Sequence, residues 1–555
     1  MDSRQWLLMP ARTPHRIEGF MRKLPTLFLS CAAALFGLTA AAWGQQPSTA
    51  TPIKHLVVIF PENISFDHYF GTYPIAKNPP DEPRFVAAPN TPAVNGLNHD
   101  LLTRNPNAAN PDNGQGAMNP FRLDRSQAAT ADQNHAYRPE QMAFHAGLMD
   151  LFPKSVGKGD LPKTGAPSPL NTTGLTMGYF DGNTVTAMWN YAQRFTLSDN
   201  SFGSTFGPST PGAINLVSGQ TNGVVDIRNA KGGLADGGNG SYTLITDPEP
   251  VGDVCSAPSG MMVSMAGNNI GNLLSEAHVT WGWFSGGFDL TITNPNGTTG
   301  CQRSSKSPVS EKIVKDYLPH HEPFQYYPST ANPKHVRPTA VNMIGHDGDA
   351  ANHQYDVHDF YDAIKAGNFP AVSFLKSPAF QDGHAGYSNP LDEQTFVVQV
   401  INFLQRSPEW KNTAVMIAYD DSDGWYDHQM SPIVNQSTGS NDALTGPGQC
   451  GDGGSALPGV DPGNEHAQGR CGFGPRLPML AVSPWAKVNY VDHSLTNQAS
   501  IIRFVEDNWL NGRRLGKGSF DSISGPITGM FDFRNKPRMR KLILNESTGE
   551  VVSSK

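Results

Sequence analysis

Two pairs of oxygen-bearing side chains, Glu62-Asn63 and Asp420-Asp421, each follow a run of apolar residues. Consecutive carboxylates out of water repel each other, so such a pair is costly unless protons or a cation neutralise it. A divalent metal is the natural partner. Carboxylate and amide oxygens suit Mg, Mn or Ca, and Zn also accepts oxygen. A serine stands in Phe206-Gly207-Pro208-Ser209-Thr210-Pro211-Gly212-Ala213. Pro211 suits a first helical position, where its missing N–H costs nothing. Ser209 is then at or just before a helix N-terminus, where free N–H groups and the dipole favour an anion. The plain reading of this serine is a helix cap. The chemical reading is a nucleophile whose hydroxyl a bound metal helps to ionise, with the same metal polarising a phosphoryl oxygen. Histidines hold the other phosphoryl oxygens or protonate a leaving group. Asp132-Gln133-Asn134-His135 and His320-His321-Glu322-Pro323-Phe324 are polar clusters of the right kind, though neither is a motif alone.

The elements that must position these residues follow from apolar patterning. Lys54 to Phe60 and Thr413 to Tyr419 are continuous apolar runs, as expected of strands buried on both faces of a parallel sheet. Each delivers its acidic pair at its carboxyl end, where open α/β sheets bind ligands. Pro370 to Leu375, Leu477 to Val482, His278 to Phe284 and Phe195 to Asn200 read as further strands. Ile64 to Gly71, Thr176 to Tyr191 and Asn269 to Ala277 read as helices, as do the stripes Val357-Phe360-Tyr361-Ile364, Phe396 to Leu404 and Ile501 to Trp509. Gly367 is the expected C-terminal stop of the first stripe. Alternating strands and helices predict an α/β sandwich. Long loop-rich stretches interrupt it at about 76–175, 221–350 and 430–470, and the tail, 516–555, reads as peripheral.

The chain has 555 residues, of which 38% are hydrophobic, with 56 Gly and 45 Pro. That describes a compact core carrying many ordered loops. A net charge of −8 gives no support to nucleic-acid binding, and any phosphate site must be local. At the N-terminus, Met21-Arg22-Lys23, the apolar run Leu24 to Ala42 and Ala42-Trp43-Gly44 have the form of a signal peptide cleaved before Gln45. Residues 1–20 are an extension or follow a misplaced start codon. A membrane anchor and lipidation at Cys31 are weaker readings of the same segment. The expectation is a periplasmic or secreted protein with no integral membrane segment after cleavage. Four cysteines then remain, with three connectivities open. The simplest pairing is Cys255–Cys301 with Cys450–Cys471.

Several long segments carry a resemblance: HLVVIFPENISFDHYFG, FGPSTPGAINLVSG, HHEPFQYY, AYDDSDGWYDH and CGFGPRLPMLAVSPWAKVNYVDH. In order, from about 51 to 515, they resemble the bacterial phosphoesterase family, which joins phosphatidylcholine-type phospholipases C with periplasmic or secreted acid phosphatases. The resemblance implies a three-layer, alkaline-phosphatase-like α/β/α sandwich with a mostly parallel sheet, its catalytic domain spanning 45–515. It implies one divalent metal ion at Glu62, Asn63, Ser209, Asp420 and Asp421, with Ser209 as nucleophile through a phosphoserine. His135, His320, His321 and His384 match the histidines of the phosphate pocket, in substrate-binding and catalytic roles. Asp423 and His428 read as supporting residues, Asp67 and His68 as structural. Phospholipase C members usually have threonine in the nucleophile turn, followed by Pro-Asn-Arg. Here the turn reads Ser209-Thr210-Pro211-Gly212-Ala213, which favours the acid phosphatase branch, acting on small phosphate monoesters, over phospholipid headgroups. A cage for a quaternary ammonium would have to draw on rings such as Trp281, Trp283 and Phe284.

Overall fold

A computed structural model of the chain describes residues 48–160, 168–229, 232–238, 240–451 and 469–554. The expected extension and signal segment, 1–44, lie outside these residues. The first apolar run forms β1, His55–Ile59, and its neighbours are central too. In chain order the sheet then takes β2 (Thr196–Ser198), β3 (Trp281–Ser285), β4 (Gln354–Asp356), β5 (Val372–Lys376), β6 (Thr413–Ala418), β7 (Met479–Val482) and β8 (Tyr490–Asp492). Their order across the sheet is β4-β3-β5-β1-β6-β7-β2-β8. β1 lies parallel between β5 and β6, with Ile59 opposite Leu375 and Ile417. Only β7 runs against the rest, pairing antiparallel with both β6 and β2.

The sheet is buried on both faces, which is why its central strands read as unbroken apolar runs. Leu56, Val58 and Phe60 face one hydrophobic cluster, and Val57 and Ile59 face the other. On the Val57 side pack α1 (Phe66–Phe70), α2 (Thr186–Arg194), α5 (Val357–Lys365) and α6 (Pro390–Arg406). On the Leu56 side pack α3 (Ser209–Ser218), α4 (Ile270–Glu276) and α7 (Ala499–Trp509). The expected three-layer α/β/α sandwich with a mostly parallel sheet is therefore the architecture formed. Each fully buried Val, Leu or Ile contributes roughly 1.5–3 kcal/mol, so this double-sided core is what fixes the strand ends.

Some elements differ from the sequence reading. Thr176 to Tyr191 is not one helix: Gly178–Tyr179 pairs with Phe121–Arg122, and α2 starts only at Thr186. Asp181, held by Arg122 and by the Lys77 amide, pins the intervening turn. The stretch 221–350 supplies the sheet strand β3 and the packed helix α4. The tail is docked as well. Leu542 and Leu544 are buried, and their backbones bond to the Asn402 and Gln405 side chains of α6.

Both disulfides of the simplest pairing are present, Cys255–Cys301 and Cys450–Cys471. No described helix is long and apolar enough to cross a membrane.

Candidate active site and metal centre

The carboxyl ends of β1, β5 and β6 and the N-terminus of α3 meet at one place. Beyond β1, Pro61 ends the strand and Asn63 takes a left-handed turn, φ +58°, which asparagine tolerates better than most residues. The Glu62 amide donates to Asp382 O at 2.8 Å and the Ile64 amide to Asp421 O at 2.8 Å. The Asn63 amide donates to Asp420 Oδ1 at 2.9 Å. The two acidic strand ends are thus tied together by backbone.

Helix α3 begins at Ser209 itself, capped by Pro208 in an extended conformation and without a side-chain cap bond. The cap reading of Ser209 is therefore corrected: it is the first helical residue. Pro211 falls at the third helical position, not the first, and there too its missing N–H leaves no helix bond unmade. The Thr210 N–H is taken by Asp247 Oδ1 at 2.8 Å, so a carboxylate of the chain already serves this helix start. With capping done by others, the Ser209 hydroxyl turns to the acidic cluster. Its Oγ lies 2.9 Å from Glu62 Oε2, 3.4 Å from Asn63 Oδ1 and 3.3 Å from Asp421 Oδ2. Gly212, one turn on, lets the helix approach: a Cβ there would stand 2.2 Å from Asp420 O.

The five residues expected to bind metal are therefore together, and all are buried. The Asn63 carboxamide adds a test of fit. One edge lies 2.7 Å from Glu62 Oε2 and 3.1–3.2 Å from the Asp420 carboxylate; the other lies 3.1 Å from His384 Nε2. With its oxygen turned to the carboxylates, the amide completes an all-oxygen cluster that only a cation satisfies. Such a donor set fits a hard divalent ion. Burial, the adjacent Asp420 and Glu140 all push the Asp421 carboxyl well above the usual range against the pull of His135, the mark of a site short of positive charge.

One counter-charge was missed in the sequence. Lys376, the last residue of β5, is 2% exposed and pairs with Glu62 Oε1, the oxygen that does not face Ser209. Asp420, Asp421 and the buried Asp382 also act on this ammonium, so the cluster stays rich in carboxylate, as suits a divalent cation. At the end of an apolar strand this lysine reads as a solvated terminus. Its only sequence signal is that its strand neighbours the one bearing Glu62.

The histidines are arranged around this cluster unequally. His321 Nδ1 lies 3.4 Å from Glu62 Oε1, and its Nε2 is buried with no hydrogen-bond partner. Burial, then His320 and His384, hold its pKa well below the ordinary value, so it is neutral. His384 is pushed down to about 4 by burial and by His135. His135 is the opposite case. Burial pulls its pKa down, but Asp421 and Asp423, whose Oδ1 lies 3.0 Å from Nδ1, outweigh it and keep the ring protonated, and the same Nδ1 lies 3.0 Å from Gln133 O. His135 and His384 meet edge to face at 5.7 Å between ring centres. His320 reaches the cluster only through His321, ring to ring at 4.3 Å, and through its carbonyl, which accepts from Thr210 Oγ1 at 3.3 Å.

Asp423 does support His135. His428 does not belong here: with Asp67, Asp427 and Arg476 it forms a separate buried ion network. The rings suggested for an ammonium cage are ruled out by the strand. Trp281 and Trp283 point into one core layer and Phe284 into the other, each fully buried in β3.

Residues 53–510 match the phosphoesterase family. The chain belongs to that family. A non-hemolytic phospholipase C of Pseudomonas aeruginosa is 23% identical over 496 residues, 87% of this chain and 58% of that protein. A second, of Burkholderia pseudomallei, is 24% identical over 505 residues, 88% of this chain and 60% of that protein. Phospholipase C A of Mycobacterium tuberculosis is 22% identical over 507 residues, 89% of this chain and 80% of that protein. The chain thus spans less than two thirds of the first two relatives. Among solved structures, an alkaline phosphatase superfamily protein from Vibrio parahaemolyticus is similar at a TM-score of 0.26 and 8% identity, covering 80% of this chain and 84% of that one. At that score the likeness carries no argument.

Proposed function

We propose that this family member is a metal-dependent phosphoric ester hydrolase in which Ser209 attacks phosphorus. The observation that carries the reading is the Ser209 hydroxyl set within 2.9–3.4 Å of Glu62, Asn63 and Asp421 oxygens at a helix start. Glu62, Asn63, Ser209, Asp420 and Asp421 would hold one divalent ion, whose chemistry is to ease ionisation of the serine and to polarise a phosphoryl oxygen. Ser209 gives its hydroxyl proton to Glu62 Oε2, which returns it when the phosphoserine is cleaved, and its oxygen forms a bond to phosphorus as the bond to the ester oxygen breaks. His135, protonated between Asp423 and Asp132, gives its proton to the departing alkoxide. Water then cleaves the phosphoserine, returning Oγ to Ser209 and a proton to His135. The unpartnered Nε2 of His321 accepts from a protonated phosphate oxygen, His320 backs the His321 ring, and His384 orients Asn63.

For substrate we favour small phosphate monoesters. The nucleophile turn here, Ser209-Thr210-Pro211-Gly212-Ala213, departs from the threonine and Pro-Asn-Arg of the phospholipase C branch. A second reading, phospholipase C action on choline phospholipids, is favoured by the names of the relatives. The expected result is faster hydrolysis of p-nitrophenyl phosphate than of p-nitrophenyl phosphorylcholine; a strong reverse preference selects the second reading. Ser209→Ala at matched metal content is expected to lose at least about a thousandfold in rate, and retained activity defeats the mechanism. Two disulfides and the signal-like N-terminal sequence support a periplasmic or secreted setting.

A further inference from the structure

The chain carries −8 overall, yet the eight residues from Arg534 to Lys541 contain five cations: Arg534, Lys536, Arg538, Arg540 and Lys541. The Arg538 amide bonds to Pro484 O at 2.7 Å, which lays this run over the loop after β7. A cavity of about 480 Å³ opens there. Arg194, Arg538, Arg540 and Lys541 line it, over a floor that includes buried Phe195 and Leu542. Among the described residues none of these four cations has an ion-pair partner, although Asp532 lies close enough for Arg538 to lower its pKa, after its bond to Asn535. A cationic cluster of this kind, with one carboxylate near its edge, sets up a local positive potential that attracts an anion.

The rim is apolar as well as basic. Val488 is 45% exposed and Met539, inside the cationic run, 47%. Val551 and Val552 are 43% and 64% exposed on the adjoining hairpin of the tail. A polyanion in water has no use for exposed Met and Val side chains. A lipid interface takes both: phosphate headgroups meet the cations and the apolar side chains enter the boundary layer.

The patch is far from Ser209. Ser483, at the cavity, follows β7 and donates to the carbonyl of Thr413, the first residue of β6. Asp420-Asp421 leave the other end of that six-residue strand, about 20 Å away at ~3.3 Å per residue.

We propose that this surface docks the protein on an anionic phospholipid bilayer, with the Ser209 centre at the opposite end of the sheet and turned away from that bilayer. The site is independent of whatever ester the centre hydrolyses. The test is flotation of the metal-loaded protein with phosphatidylcholine vesicles, with and without phosphatidylglycerol, at low and high salt. The expected result is retention at least about tenfold greater with phosphatidylglycerol, lost at high salt. The triple variant Arg538→Glu, Arg540→Glu, Lys541→Glu is expected to lose that retention while hydrolysing p-nitrophenyl phosphate at the wild-type rate, which also certifies its fold. Met539→Asp is expected to weaken vesicle retention. Equal retention on both vesicle types, or wild-type retention by the triple variant, overturns the proposal. Retention on a heparin column that the triple variant loses, with vesicle binding unaffected by Met539→Asp, replaces the lipid with a soluble polyanion and overturns it equally.

Discussion

His384 Nε2 stands 3.1 Å from the edge of the Asn63 carboxamide that faces away from Glu62 and Asp420. Its Nδ1 is at 2.5 Å from Ala385 O. A neutral ring with its proton on Nδ1 leaves Nε2 as an acceptor, which draws the Asn63 NH₂ and turns the amide oxygen to the carboxylates. That orientation is stable only with a cation among the oxygens. In the reverse orientation the amide donates to Glu62 and Asp420, and its oxygen meets His384 Nε2, which must then carry the ring's proton in place of Nδ1. The neutral Asn63 amide thus suits the proposed metal-bound centre in one orientation and, with a tautomer change at His384, the metal-free one in the other.

An aspartate cannot do this. Asn63→Asp puts another buried carboxylate into the cluster, and an uncompensated buried charge costs about 3–5 kcal/mol. The metal-free variant is expected to melt well below the metal-free wild type, and saturating metal is expected to raise its melting temperature by more than it raises the wild type's. Thermal unfolding with chelator and with Mn, Mg or Ca measures both. An equal metal-induced rise in the two proteins removes Asn63 from the ligand set.

Lys376 makes a parallel case through charge. Lys376→Met keeps most of the volume and removes the ammonium from Glu62, so the metal-free cluster loses the buried cation that its carboxylates share. Stability without metal is expected to fall by about 3–5 kcal/mol, with most of the loss recovered on metal addition. Denaturant titrations with and without metal check this. A loss that metal does not recover makes Lys376 a packing residue of β5 alone.

Gly212→Ala tests the approach of α3 to β6. The new Cβ would stand 2.2 Å from Asp420 O, and neither backbone can give way without moving a proposed ligand. Overpacking of this sort costs about 1–3 kcal/mol. Metal content is expected to drop with it, since Ser209 and Asp420 separate. Wild-type metal content by elemental analysis would show that the contact does not set the centre.

What the sequence disclosed, and what it hid, follows from burial. Lys54 to Phe60 and Thr413 to Tyr419 were legible because strands covered on both faces lose the alternation that marks exposed ones. The carboxylates after them were legible because chain order puts them at strand ends. Lys376 was not, because a lysine closing a strand looks solvated until its neighbour's glutamate is known. Asp247 was not, because nothing local links it to a helix start 37 residues earlier. Trp281, Trp283 and Phe284 misled for the same reason that β1 did not. Aromatic residues in an unbroken run serve two core layers, and a period of two sends Phe284 to the face opposite its neighbours.

His68 sets an acid limit on the fold. Its ring stacks on Trp425 at 4.0 Å between centres and its Nδ1 bonds to Gly178 O at 2.7 Å. Burial pushes its pKa down to about 3, against the pull of that bond. An unfolded histidine titrates near 6.5. Between those values the unfolded chain binds a proton that the folded chain refuses. His68 therefore takes nothing from stability above about pH 6.5, and its cost grows as pH falls toward 3, reaching on the order of 4–5 kcal/mol. His68→Gln does not titrate and keeps a donor for Gly178 O. Urea midpoints of the two proteins at pH 7 and pH 5 are expected to show a shallower acid loss for the variant, by on the order of 2 kcal/mol at pH 5. His135, with its raised pKa, titrates in both proteins and cancels in the comparison. Parallel losses in wild type and variant would mean that the buried ring charges as readily as a free one. A hydrolase that works in acid has to do so against this gradient, so the fall in stability below pH 6.5 also bounds the acidity at which the Ser209 centre stays assembled.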